Sequence, residues 1–388
     1  MPPTEPSPHE RIEQLLSTVP SAMPEIARIL GIPESATLIE TIRQRANWTP
    51  GELVEIAEAL RVPSAVLAGR LPMDRHLGVS LRLGVLTEPG APAEALQRAE
   101  RLFDDKAVLD SWLGPVRSPL ASVPMSSDTY HMRAGQTSAE RVRDALRLGD
   151  EPVNDLVGLV ESQGVPTFFT HLPEDVFGLN IRDERDSGVS RVIVVSTVGP
   201  WTMQRYTLAH ELCHALYDDA GQLIVDRVDI PEVLAELRAE SFARHLLLPK
   251  SGLAREVRAA RRSGDGWDVV VARTMIRWGV SRKVAVRALL DDGLAGNEDL
   301  EGVERTRVDD LMAAAQLTHT WSLLSDGESE PSGSPMLVER AVAAYGNGWV
   351  SLQFVADLLG VTEEQAEAQL AAAGWGPPNG SDRTGGSD

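Results

Sequence analysis

Along most of the chain, apolar residues recur every three or four positions, the period of amphipathic helices. Near the N-terminus the runs are short. Ile12, Leu15 and Leu16 mark a first helix; residues 23–30 (M-P-E-I-A-R-I-L) form a second, which Gly31-Ile32-Pro33 breaks; residues 35–46 form a third. A fourth, through Leu53, Ile56, Ala57 and Leu60, opens on Thr49-Pro50, an N-cap followed by a proline at the first helical position. Val66 and Leu67 mark a short fifth. The same period predicts helices over 93–112, 137–148, 153–161, 201–217, 231–248, 252–262, 268–278, 281–290 and 308–324, and near the C-terminus over 337–345, 351–359 and 362–373. The pattern changes in one region. Residues 165–170, 176–181 and 191–196 are rich in β-branched and aromatic residues and read as strands. With residues 182–188 as a charged turn, they predict a small three-stranded sheet. Residues 126–135 read as a loop.

The implied fold class is α+β, mostly α. The chain divides into a helical domain at 9–71, a helical connector at 72–135, an α+β domain at 136–293 and a helix within 300–324. A linker follows at 325–335 (S-D-G-E-S-E-P-S-G-S-P), then a small helical module at 336–374 and a Gly/Pro/Ser-rich tail at 375–388, expected to be disordered. A length of 388 residues suits two or three domains. The single cysteine excludes an internal disulfide and fits a reducing compartment. The polar start M-P-P-T-E-P lacks the apolar core of a signal peptide, and no apolar run reaches the roughly 18 residues of a membrane span. A cytoplasmic protein is therefore expected. The net charge of −20 opposes non-specific binding to nucleic acid.

Chemistry concentrates in Tyr206-Thr-Leu-Ala-His210-Glu211-Leu-Cys213-His214. This is H-E-x-x-H within a stretch free of Gly and Pro from Trp201 to Ala220. Residues four apart share a helix face, so His210 and His214 can bind one metal, with Glu211 as base for a water on it. Zn²⁺ is the metal most often held this way, with a third protein ligand and one open position. No histidine stands six residues beyond His214, where Ala220 sits, so the third ligand should come from the next helix. That helix carries Glu236 and Glu240, again four apart. One can bind the metal and the other can support a ligand histidine, although most glutamates are only solvated surface groups. Cys213 reads as a small buried hydrophobe rather than a redox thiol. Tyr217 and His245 are weak candidates for stabilising an oxyanion.

The run R-Y-T-L-A-H-E-L-C-H-A-L, followed by F-A-R-H-L-L-L-P, resembles the ImmA/IrrE family of bacterial metallopeptidases over about residues 142–293. The resemblance implies His210, His214 and Glu236 as zinc ligands and Glu211 as catalytic base. It also implies one specific protein substrate, often an Xre-type transcriptional repressor, cut in a regulatory or stress response. Two positions depart from the family pattern: Cys213 stands where a glycine is usual, and Glu240 where Asn or Asp is usual.

The five short N-terminal helices resemble an Xre-type helix-turn-helix domain. The likeness is carried by I-A-x-x-L-G-I-P and W-T-P-x-E-L-x-x-I-A-x-A-L-x-V. In such a fold the third helix enters the major groove, which makes Thr37, Thr41, Arg43 and Arg45 candidate contacts to DNA or a partner protein. Residues 9–70 hold six arginines against eight glutamates, a weak basic footprint, so DNA binding would need a homodimer or a partner. Two other readings compete with the peptidase: a non-enzymatic helix-turn-helix regulator with a metal- or signal-sensing domain, and a protein-interaction scaffold.

Overall fold

Capping side chains fix many of the helix boundaries. Ser281, Ser351 and Thr362 each accept a backbone N–H three residues on, and Gln365 returns the bond to the Thr362 N–H. A computed structural model of the protein describes residues 7–18, 23–32, 37–45, 47–60, 64–68, 77–83, 102, 104–116, 122–172, 176–185, 188–218, 230–326 and 333–375. They fall into two units: Met1–His76 with Arg98–Val116 and Ser332–Asp388, and Leu77–Gln97 with Arg117–Pro331. The fold class is α+β and mostly α. The expected tail beyond residue 375, most of the expected linker and half of the helix at 93–112 lie outside the described residues.

In the first unit, α1 (Pro8–Thr18), α2 (Met23–Ile29), α3 (Leu38–Gln44), α4 (Pro50–Leu60) and α5 (Ser64–Leu67) surround a core of Ile12, Leu16, Ile26, Leu38, Ile42, Ile56, Leu60 and Leu67. The same unit contains α6 (104–113) and the C-terminal helices α17 (Pro335–Gly346), α18 (Leu352–Leu359) and α19 (Glu363–Ala372). Asp110 on α6 accepts from Lys106 at 2.5 Å and from Arg340 on α17 at 2.6 Å, all three side chains being largely buried. Trp112 stacks on Trp349, with ring centroids 5.8 Å apart. Parts of the chain 230 residues apart are thus joined.

In the second unit, β1 (Leu77–Leu83), β2 (Thr167–Thr170), β3 (Val176–Arg185) and β4 (Gly188–Ser196) form one sheet in the order β1-β3-β4-β2. β2 runs parallel to β4, while β1 and β3 are antiparallel to their neighbours. Three expectations are corrected here. The sheet has four strands rather than three, and the stretch read as helical connector contains β1, whose Leu77, Val79, Leu81 and Leu83 alternate with period two. Residues 182–185 are not a turn but the end of β3, paired with β4 from Gly188. Arg182 and Arg191 face each other across that ladder, and Asp218, the left-handed C-cap of the following helix, accepts from both at 2.5 and 2.6 Å. Finally, the expected loop at 126–135 already contains the start of α7 (His131–Ala145).

Gly135 explains the third correction. Glycine usually punctuates turns, but here it lets two helices touch. A Cβ at 135 would lie 2.2 Å from the Arg238 carbonyl oxygen and 2.8 Å from the Phe242 nitrogen on α10 (Ile230–Leu247). Backbone cannot yield as a flexible side chain can. Gly135→Ala is expected to cost about 3 kcal/mol, the upper end for overpacking. A chemical-denaturation midpoint matching wild type would refute this close approach. α10 also packs on α9 (Trp201–Tyr217), which lies across β3 and β4. α9 is buried on nearly all sides, enclosed by sheet and helices, and Leu208, Leu212, Cys213 and Ala215 join Ile193, Val195, Phe242 and Leu246 in the core. Around it stand α8 (Leu156–Glu161), α11 (Lys250–Arg262), α12 (Trp267–Trp278), α13 (Arg282–Asp291), α14 (Asn297–Arg305), α15 (Val308–Ala314) and α16 (Thr318–Asp326). No helix of the described residues is long and apolar enough to cross a membrane.

Candidate metal centre

α9 places His210 and His214 one turn apart, and their Nε2 atoms lie 3.0 Å from each other. α10 brings Glu236 to both rings: Oε2 is 3.0 Å from His210 Nε2, and Oε1 is 3.3 Å from His214 Nε2. Two imidazoles and a carboxylate are the donor types of a hydrolytic zinc site. With metal–ligand bonds near 2.0–2.1 Å, tetrahedral donors stand about 3.3 Å apart. The observed spacings fit that requirement. The three ligand atoms are within 4.8 Å of one another, a grouping found for no other His, Cys, Asp or Glu triad among the described residues. The histidines are buried, whereas the Glu236 side chain is 45% exposed, so the cluster opens toward solvent on the Glu236 side. Burial opposes the charge on Glu236, but hydrogen bonds from His210 and His214 outweigh it and hold the carboxyl well below the usual carboxylate range.

Glu211 is wholly buried beside this cluster. β3 packs against it through a glycine: a Cβ at Gly178 would meet Glu211 Oε1 at 3.2 Å and Thr207 Cγ2 at 2.6 Å. Sequence reasoning passed over Gly178, although a glycine inside the strand V-F-G-L-N-I is a signal of close approach. It also passed over Asn180, a fully buried carboxamide in the same strand with no hydrogen-bond partner among the described residues. Successive strand residues alternate in direction, so Asn180 faces the same side as Gly178, toward α9. A third such residue is Tyr206, whose hydroxyl donates to the Glu240 carbonyl at 2.8 Å and ties α9 to α10.

The Glu240 side chain is exposed and lies outside the metal group, so of the two carboxylates Glu236 is the one grouped with the histidines. Cys213 is buried in the apolar core, also outside that group. The Tyr217 hydroxyl is held by Ser138 Oγ at 2.7 Å and the Ser126 carbonyl at 3.0 Å, and burial pushes its pKa up. His245 Nδ1 is 2.7 Å from the Ser241 carbonyl, and burial, reinforced by the Arg244 charge, pushes its pKa down. Both side chains are engaged within the scaffold.

The four N-terminal candidates sit on or beside α3. Thr41 Oγ1 donates to the Thr37 carbonyl at 2.9 Å. Arg43 forks onto Glu13, with Nε at 2.8 Å, and so holds the Glu13 carboxyl below its ordinary range. Arg45 pairs with Glu52 and lies 4.9 Å over the Trp48 ring. Both guanidinium groups are therefore matched within their own unit.

Two imidazoles, one carboxylate and a buried glutamate beside them define the class of hydrolytic metal centres. Residues 160–290 match a peptidase family model, the IrrE N-terminal-like domain of Peptidase_M78. The matched segment contains H-E-x-x-H and Glu236, supports the ImmA/IrrE family, and points to a metallopeptidase of that type. No curated protein and no solved structure matches the chain.

Proposed function

We propose that the protein is a zinc endopeptidase that cuts one specific partner protein, an Xre-type repressor, in a regulatory or stress response. The observation that carries this reading is the convergence of His210, His214 and Glu236 from two helices, with Glu211 buried alongside. Bound there, Zn²⁺ would supply Lewis acidity, making a water acidic near neutral pH and polarising the scissile carbonyl. The Glu211 carboxylate takes the proton of the attacking water as its oxygen bonds to the carbonyl carbon. As the C–N bond breaks, Glu211 returns that proton to the departing amine. Glu236 and the two imidazoles hold fixed positions throughout. A metal-sensing regulator would have no use for Glu211, which favours the enzyme.

For the N-terminal module we favour recognition of a partner protein, because Arg43 and Arg45 already face carboxylates. A helix-turn-helix role on DNA would need those arginines released. Metal analysis tests the site directly. Protein purified without chelator is expected to carry one zinc per chain, to lose cleavage of its repressor on chelation and to regain it with zinc. Absence of bound metal, with no uptake on titration, would remove the peptidase reading.

A further inference from the structure

We propose that β1 is a built-in occupant of the edge at which this domain receives peptide, so that the chain keeps that edge closed until β1 is released; the inference rests on the peptidase reading above. A peptide in extended form can add to a sheet edge through main-chain hydrogen bonds whatever its sequence. The strand beside the base is β3, whose Gly178 lies against Glu211. One side of β3 is paired to β4 along its length. The other side is the edge open to a peptide, and β1 takes it.

The pairing has the form a docked peptide would have. β1 is antiparallel to β3, in regular register from Leu77 opposite Asp183 to Arg82 opposite Gly178. The β1 residue level with the base is therefore Arg82. Between Arg82 and Leu83 the register shifts, so that Leu83 stands opposite Val176. A bulge takes the backbone out of regular pairing. It falls at the level of Glu211, where a substrate would have to present its scissile bond. The extra residue is Phe177 of β3, so the irregularity belongs to the edge itself and β1 follows it.

β1 is also separable from the domain it covers. It lies at the end of the sheet order and precedes the segment 160–290 that matches the family model. Its departure leaves the β2-β4-β3 ladder intact. The substrate class that follows is an extended, locally unstructured segment, selected by its ability to displace β1.

The test uses the full chain with Ser80→Pro and Leu81→Pro together. Of two consecutive strand residues, one points its N–H at the partner, so the pair removes a ladder hydrogen bond in either phase. Hydrogen exchange is read at residues 176–182, and binding of a labelled synthetic peptide with the sequence of residues 75–85 is measured. We expect the variant to retain its metal, to exchange faster at 176–182, and to bind the peptide with protection restored, while wild type binds none. Unchanged protection in a folded variant, or equal peptide binding by wild type, would overturn the proposal. Peptide binding confined to the variant, with no zinc taken up by either form, would keep the occupant and discard the peptidase.

A second variant, Leu77→Cys with Asp183→Cys, covers failure of the first to fold. These residues are direct partners at the far end of the ladder, at a spacing a disulfide can span. Oxidation should slow exchange at 176–182, and reductant should reverse it. Exchange that does not respond to oxidation would count against β1 as the occupant.

Discussion

Glu211→Gln is expected to keep its zinc and lose cleavage by a factor of roughly 10²–10⁴, the range over which a positioned general base acts. Glutamine is nearly isosteric with glutamate, and the site is closed by Thr207, Gly178 and the core, so the fold has no reason to rearrange. The carboxamide cannot accept the proton of the attacking water, and no other described carboxylate shares the position: Glu236 is committed to the histidines and Glu240 lies outside the group. Metal content and single-turnover cleavage of the same substrate, measured side by side, decide the matter. Near-wild-type cleavage by the zinc-loaded variant would mean that the base has been misassigned.

The second large effect concerns the metal itself. Glu236→Ala removes one of three protein donors, and its loss should weaken zinc binding by more than the roughly 10–100-fold typical of a supporting residue. His214→Ala should do the same. Glu240→Ala should change affinity by a few-fold at most, because its exposed side chain stands outside the cluster and its carbonyl, which holds Tyr206, is kept. Competition against a chromophoric chelator ranks the three variants. If Glu240→Ala lost affinity and Glu236→Ala did not, α10 would have to be turned about its axis and Glu236 would not be the ligand.

The sequence led to the centre of the site more surely than to its walls. H-E-x-x-H is local: its spacing alone puts two imidazoles on one helix face. The third ligand is not local. Glu236 and Glu240 share a face of α10, and which of them meets the histidines depends on how far α10 slides along α9. Tertiary contacts set that position, among them the Gly135 approach and the Tyr206 hydrogen bond. Gly135 itself was misread because a glycine in a turn and one at a helix crossing look alike without the partner. β1 had the alternation of a strand, but its pairing partner β3 lies far along the chain, so nothing local marked it as part of a sheet. The polar residues at 182–185 suggested a turn, but Asp218 neutralises two facing arginines and the hairpin extends.

The bond between Asp110 and Arg340, with Trp112 on Trp349, has a consequence for how the chain comes off the ribosome. Domains generally fold as they emerge, N-terminal first. Here the unit that starts first finishes last, because α6 waits for α17, made only after all of 117–331 has been synthesised. The metal-binding unit can close while its helical host is still incomplete. A premature stop between the two would release a chain with an assembled metal centre and a host lacking its final helices.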